Sequence, residues 1–134
     1  MNVSVVCTSL LGLLLFGLGL FVSIQRQRHG TIIGHDPDPE DPTHRAVRAH
    51  ANTAEYAPFL AILFLWHGAH EPAAWMLWTM AIATLSRYLL AGSLVFGPTM
   101  ARPNPARFIG ALATYVCGLL LAGAMLVKLL TTAG

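Results

Sequence analysis

The sequence predicts an all-α integral membrane protein, an up-down bundle of four transmembrane helices forming one domain over residues 1–134. Three observations carry that expectation. Charged residues make up only 10% of the chain and hydrophobic ones 55%, whereas an ordinary soluble domain carries about 25% charge. Apolar stretches near residues 3–24, 46–68, 72–94 and 106–130 alternate with polar, mostly proline-bearing connections. Arginines gather beside two of the three connections and avoid the other.

Val3 to Ile24 carries no charge. At 1.5 Å per helical residue it is long enough for a hydrocarbon core of about 30 Å. It lacks the basic start and small-residue cleavage site of a signal peptide. Gly12, Gly17 and Gly19 are expected to let another helix approach closely. Gln25 to Pro42 reads as a loop, because Pro37, Pro39 and Pro42 forbid a helix through its second half. Asp36, Asp38, Glu40 and Asp41 within it read as a solvated acidic turn. Thr43 is expected to cap the second helix, which runs to about Gly68 and kinks at Pro58. After a short turn, Pro72 opens the third helix, where its missing N–H costs nothing. Trp75 and Trp78 near its start fit an interfacial aromatic belt. Gly97 to Pro105 forms a second polar loop, and the fourth helix follows with Arg107 at its mouth.

Arg26, Arg28, Arg45 and Arg48 flank the first connection; Arg87, Arg102 and Arg107 flank the third. The short turn between them has no Lys or Arg, and only Lys128 lies near a terminus. The positive-inside rule then places both long loops in the cytoplasm and both termini outside. A net charge of +2, so dispersed, argues against nucleic-acid binding. Cys7 and Cys117, isolated in apolar runs, read as core residues rather than as a disulfide or a nucleophile. No metal-ligand spacing is present.

Arg48, Asn52 and Glu55 are spaced i, i+4, i+7 and share one helix face. A cation, an amide and a carboxylate on a membrane-entering helix are costly unless paired or wetted, so they are candidates for function. They suit a ligand bearing both carboxylates and an ammonium: Arg48 takes a carboxylate bidentately and Glu55 takes an amine. The remaining arginines add a positive field that favours an anion or a thiolate. Glutathione has that shape. The same residues equally suit an Arg48–Glu55 polar knot between helices, with Asn52 as interhelical glue. His50 lies off this face, and Tyr56 adjoins Glu55.

The run Arg48-Ala-His50-Ala-Asn52-Thr-Ala-Glu55-Tyr56-Ala-Pro58-Phe59 resembles the hallmark segment of the MAPEG family, the membrane-associated proteins of eicosanoid and glutathione metabolism. The resemblance covers the whole chain and is strongest to short bacterial members, which implies a bacterial inner membrane. It implies a homotrimer with glutathione as co-substrate, held between subunits near the cytoplasmic face, and a lipophilic second substrate. Carried over by position, Arg48, Asn52, Glu55 and Tyr56 match glutathione contacts, as do His50, Arg26, Arg87 and Tyr88 more loosely. Arg102 or Arg107 matches the arginine that stabilises the thiolate. Two departures count against eicosanoid chemistry. Gly92 stands where the eicosanoid synthases have a tyrosine. Phe108 and Ala111 stand where prostaglandin-E synthase has a serine and a tyrosine. The resemblance therefore implies a glutathione transferase or peroxidase. The alternative is a non-catalytic membrane protein of the same fold whose polar site is structural or binds anionic lipid.

Overall fold

A computed structural model describes residues 2–132; Met1, Ala133 and Gly134 of the expected domain lie outside the described residues. Four helices account for most of the chain: α1 (Val3–Arg28), α2 (Pro42–Gly68), α3 (Ala74–Phe96) and α4 (Pro105–Thr132). Among the described residues there is no strand. Three of the helices, α1, α3 and α4, are long and apolar enough to cross a membrane. The exception is α2, whose first half carries Arg45, Arg48 and Glu55.

The helix ends follow local chemistry and correct several expectations. Gln25 to Arg28 are the last turn of α1 rather than loop, so Arg26 and Arg28 sit where cations complement the helix dipole. The cap of α2 is Asp41, not Thr43: its carboxylate accepts from the His44 N–H at 2.6 Å, and Pro42 takes the first helical position. Thr43 is instead buried, its hydroxyl 3.2 Å from His29 Nδ1. Pro58 lies inside α2, which continues through it. Pro72 precedes α3 rather than opening it; the helix begins at Ala74, after Glu71 has turned the chain with a φ of 50°. Asn104 starts α4 by accepting from the Ala106 and Arg107 N–H groups at 2.9 and 3.3 Å.

Consecutive helices pack against each other, α1 on α2 and α3 on α4 most extensively. The α2–α3 pair forms the diagonal of the bundle, while α2 and α4 touch little and, among the described residues, α1 does not reach α4. Gly110 is where α3 and α4 cross most closely: a Cβ there would stand 2.9 Å from the Ser86 carbonyl oxygen. Gly19 accommodates the His50 ring, but a methyl group at Gly12 or Gly17 would meet open space, so neither marks a close approach within the chain.

Two apolar clusters fill the interior. One, toward the short α2–α3 turn, joins Cys7, Leu11, Phe64, Met80, Cys117 and Leu121 with their neighbours. The other, toward the long loops, joins Leu18, Ala49, Leu90, Ala91 and Leu94. Both cysteines are free and buried. Between the clusters lies a polar layer that includes Thr53, Thr84 and Arg87.

Candidate functional site

Because α2 and α4 diverge, a groove runs between them, and it changes character along its length. At the loop end is a polar pocket of about 390 Å³. His44, Arg48 and Asn52 line it from successive turns of α2, Leu90 and Leu94 from α3, Met100 from the loop, and Arg107 and Ala111 from α4. One turn deeper the groove is apolar, about 490 Å³, between Glu55, Tyr56, Phe59, Leu60 and Leu63 on α2 and a face of α4 from Thr114 to Ala122. Within this apolar recess the Tyr56 hydroxyl approaches that of Tyr115 at 3.4 Å.

The loop that roofs the polar pocket is tied down from several sides. Arg107 Nη1 and Nη2 donate to the carbonyls of Met100 and Arg102, at 3.2 and 2.7 Å. Arg45 Nη1 donates to the Gly97 carbonyl. The Met100 N–H donates to the Pro39 carbonyl at 3.0 Å, joining the two long loops. Of the guanidinium's five N–H groups, Arg107 thus spends two on the loop, and among the described residues no side-chain hydrogen bond engages the other three. Arg102 is exposed in the loop and contributes its carbonyl, not its side chain.

Arg87 stands behind the pocket wall. Its side chain is 1% exposed. Nη2 donates to Asn52 Oδ1 at 2.8 Å and reaches Thr53 Oγ1 at 3.5 Å. The guanidinium carbon lies 5.3 Å from the centre of the Tyr56 ring, within cation–π range. Among the described residues Nε and Nη1 have no hydrogen-bond partner.

The family model described as the MAPEG family matches residues 4–127. This chain belongs to the MAPEG family. The match covers nearly the whole chain and brings in a family that includes glutathione-dependent transferases and peroxidases. No curated relative and no solved structure matches the chain.

Within this MAPEG chain the ten residues singled out from sequence fall into distinct places. Arg48, Asn52 and Arg107 share the polar pocket, and Arg87 backs it. Glu55 and Tyr56 line the adjoining apolar groove. Among the described residues no hydrogen bond or ion pair joins Arg48 to Glu55, whose side chains line different recesses, whereas Asn52 does link two helices through Arg87. His50 packs against Gly19 of α1, and Arg26 ends that helix with its Nε buried and unpaired. Tyr88 turns toward α1, where its hydroxyl donates to the Leu10 carbonyl at 2.9 Å and its ring helps line a separate apolar recess of about 280 Å³ beside Gly92. Arg102 stays outside.

Sequence reasoning missed the pocket walls. Leu90 and Leu94 follow Arg87 at i+3 and i+7, so they, and not the adjacent Tyr88, continue its helix face. His44 and Ala111 stand one turn from Arg48 and Arg107 in the same way. Tyr115, two turns beyond Arg107, was findable by that periodicity too.

Proposed function

We propose that this protein is a membrane-bound, glutathione-dependent transferase or peroxidase acting on lipophilic electrophiles, assembled as a homotrimer. The observation that supports it is the junction of a pocket rich in cationic and amide donors with an apolar groove, inside an otherwise lipid-compatible bundle. In this reading α2 also crosses the bilayer, since it is 27 residues long and packs beside both α1 and α3. Four crossings leave both termini on one side and put the polar pocket, with its loops, at the cytoplasmic face.

Arg48 and Asn52 bind carboxylate oxygens of glutathione, and Glu55 receives its ammonium from the next turn. The free N–H groups of Arg107 face the sulfur and favour its ionised form, which is the nucleophile. In transfer, the thiol proton leaves to water, the thiolate forms a bond to the electrophilic carbon, and the leaving group departs with its electron pair. In peroxidase turnover, the thiolate attacks the distal oxygen of a hydroperoxide and releases the alcohol. A second glutathione thiol then displaces water to give the disulfide. Arginine stabilises negative charge as it shifts in either reaction.

Arg26 and His50 lie on the α1–α2 face, away from the pocket of their own chain. A cyclic trimer has head-to-tail contacts that place different faces together. One subunit's Arg26 and His50 then complete the pocket of the next. Calorimetric titration of detergent-solubilised protein with glutathione tests the reading. Arg48→Ala is expected to weaken binding more than about tenfold, the scale of a lost charge-assisted pair, while the trimer still assembles on size exclusion. Unchanged affinity in that variant sinks the site assignment.

A second reading is favoured by one observation: both terminal nitrogens of Arg107 already donate to loop carbonyls. In that reading the pocket holds an anionic lipid headgroup and performs no chemistry. Purified protein then gives no heat with glutathione and no conjugation of a model electrophile.

A further inference from the structure

Arg87 occupies a costly position. A buried guanidinium needs partners for its N–H groups, and leaving them unpaired carries a desolvation penalty. Here Nε and Nη1 have none among the described residues. The side chain's short hydrogen bond is to Asn52, on the neighbouring helix, 35 positions away in sequence. That bond has a consequence for the pocket in front of it.

A guanidinium only donates, so the atom of Asn52 that faces it must be the amide oxygen. This holds however the oxygen and nitrogen of an amide are assigned. With Oδ1 taken by Arg87, the Nδ2 group is left over. Among the described residues no hydrogen bond engages Nδ2, and Asn52 lines the polar pocket. The amide therefore presents donors, one turn from the donors of Arg48.

We propose that Arg87 is a positioning residue that fixes the polarity of Asn52, so that the polar pocket offers an N–H pair beside the Arg48 guanidinium and selects a carboxylate over a carboxamide. The inference rests on the glutathione reading for the identity of that carboxylate. It goes beyond that reading by assigning Arg87 a role without ligand contact and by setting the chemical sense of recognition. Two further features support it. The Arg87 charge, with two of its nitrogens unpaired, adds positive potential behind the amide at a depth where screening is weak. Its position over the Tyr56 ring holds α2 in the register that keeps Asn52 in reach. A free Asn52 could turn its oxygen toward the pocket and accept from a carboxamide; Arg87 removes that option.

The test uses the full chain in detergent, titrated by calorimetry with glutathione and with its two mono-amides, in which one or the other carboxylate is a carboxamide. Wild type is expected to favour glutathione over one of the amides by about tenfold or more. Asn52→Asp still offers Arg87 an oxygen but gives the pocket a second oxygen instead of N–H. It is expected to abolish or invert that preference without lowering the unfolding temperature. Asn52→Asp with the wild-type preference overturns the proposal. A purely structural tie between α2 and α3 predicts that result, since such a tie is indifferent to ligand charge. A ligand-free arm compares Asn52→Ala in two backgrounds. It is expected to lower the unfolding temperature when Arg87 is present and to leave it unchanged in Arg87→Met. Equal effects in both backgrounds show that the two residues are uncoupled and overturn the proposal whether or not glutathione binds. If wild type gives no heat with any of the three ligands, the glutathione reading falls and carboxylate selection with it.

Discussion

The two ends of this bundle handle buried polar groups in opposite ways. Toward the short turn, His67 is 2% exposed, and its Nε2–H donates to the Leu121 carbonyl at 2.9 Å. Phe64, Met80 and Leu121, in the apolar cluster at the same end, have no exposed surface. Toward the long loops, α2 and α4 part around a pocket of about 390 Å³. Of the five buried side-chain polar atoms without a partner among the described residues, four belong to Arg26, Arg45 and Arg87, at or toward that end, and one, Thr8 Oγ1, lies toward the short turn. Native interiors satisfy nearly all their polar groups, so a concentration of exceptions needs an explanation. The turn end leaves one hydroxyl over, that of Thr8, while the loop end leaves four guanidinium nitrogens over. On the function proposed above, a ligand and a neighbouring subunit are what those cations await.

The sharpest way to break that contrast is at Arg107. Arg107→Met removes the guanidinium that both straps the loop and faces the pocket. Conjugation of a lipophilic electrophile is expected to slow about 10²–10³-fold at saturating glutathione, the scale of losing one group that stabilises developing negative charge. The unfolding temperature should move by only a few degrees. Stopped-flow absorbance at the thiolate band checks the cause, since the variant should lose the ionised sulfur. A variant with full turnover would assign Arg107 to the loop alone. At the turn end the expected effect is of the other kind. Phe64→Ala leaves a cavity in a dry cluster. Transfer between protein and lipid contributes little within a bilayer, so the cavity term dominates, about 2 kcal/mol. Thermal unfolding should register it while glutathione affinity stays within about twofold. A large loss of affinity would mean that the two ends are mechanically one.

Much of this contrast is legible in the sequence, and the remainder fails for definable reasons. Apolar runs and prolines locate the four helices, because span length and helix breaking act locally. The i, i+4 spacing puts Arg48 and Asn52 in one pocket, where the structure has them. Glu55 shows the limit of spacing. At i+7 it shares the face of Arg48 but stands about 10 Å further along the axis, beside Tyr56 in the apolar recess. Periodicity assigns a face and leaves depth to the opposing helix. The Asn52–Arg87 bond depends on the register of α2 against α3, which no local pattern encodes. Asn104 sets the first turn of α4, which puts Arg107 on the helix and leaves Arg102 in the loop, a division that the arginine spacing alone does not encode. Arg26 and His50 point away from the pocket of their own chain, so one chain's geometry leaves them apart.

The smallest expected effect is the most discriminating for the groove itself. Tyr115 is about half exposed, and its hydroxyl sits 3.4 Å from that of Tyr56, near the outer limit of a hydrogen bond. Tyr115→Phe should therefore change stability by no more than about 0.5 kcal/mol, since a long, solvent-accessible bond contributes little. Glutathione affinity should also hold, because the residue lines the apolar recess and not the polar pocket. The Michaelis constant for an oxygen-bearing lipophilic substrate is expected to rise about threefold to tenfold, as the recess loses a phenolic donor for that oxygen. Initial rates at saturating glutathione, compared between a hydroperoxide and a halogenated arene, measure it. A parallel shift for both substrates would make Tyr115 a matter of shape. A shift in glutathione affinity would show that the polar pocket and the apolar groove act as one site.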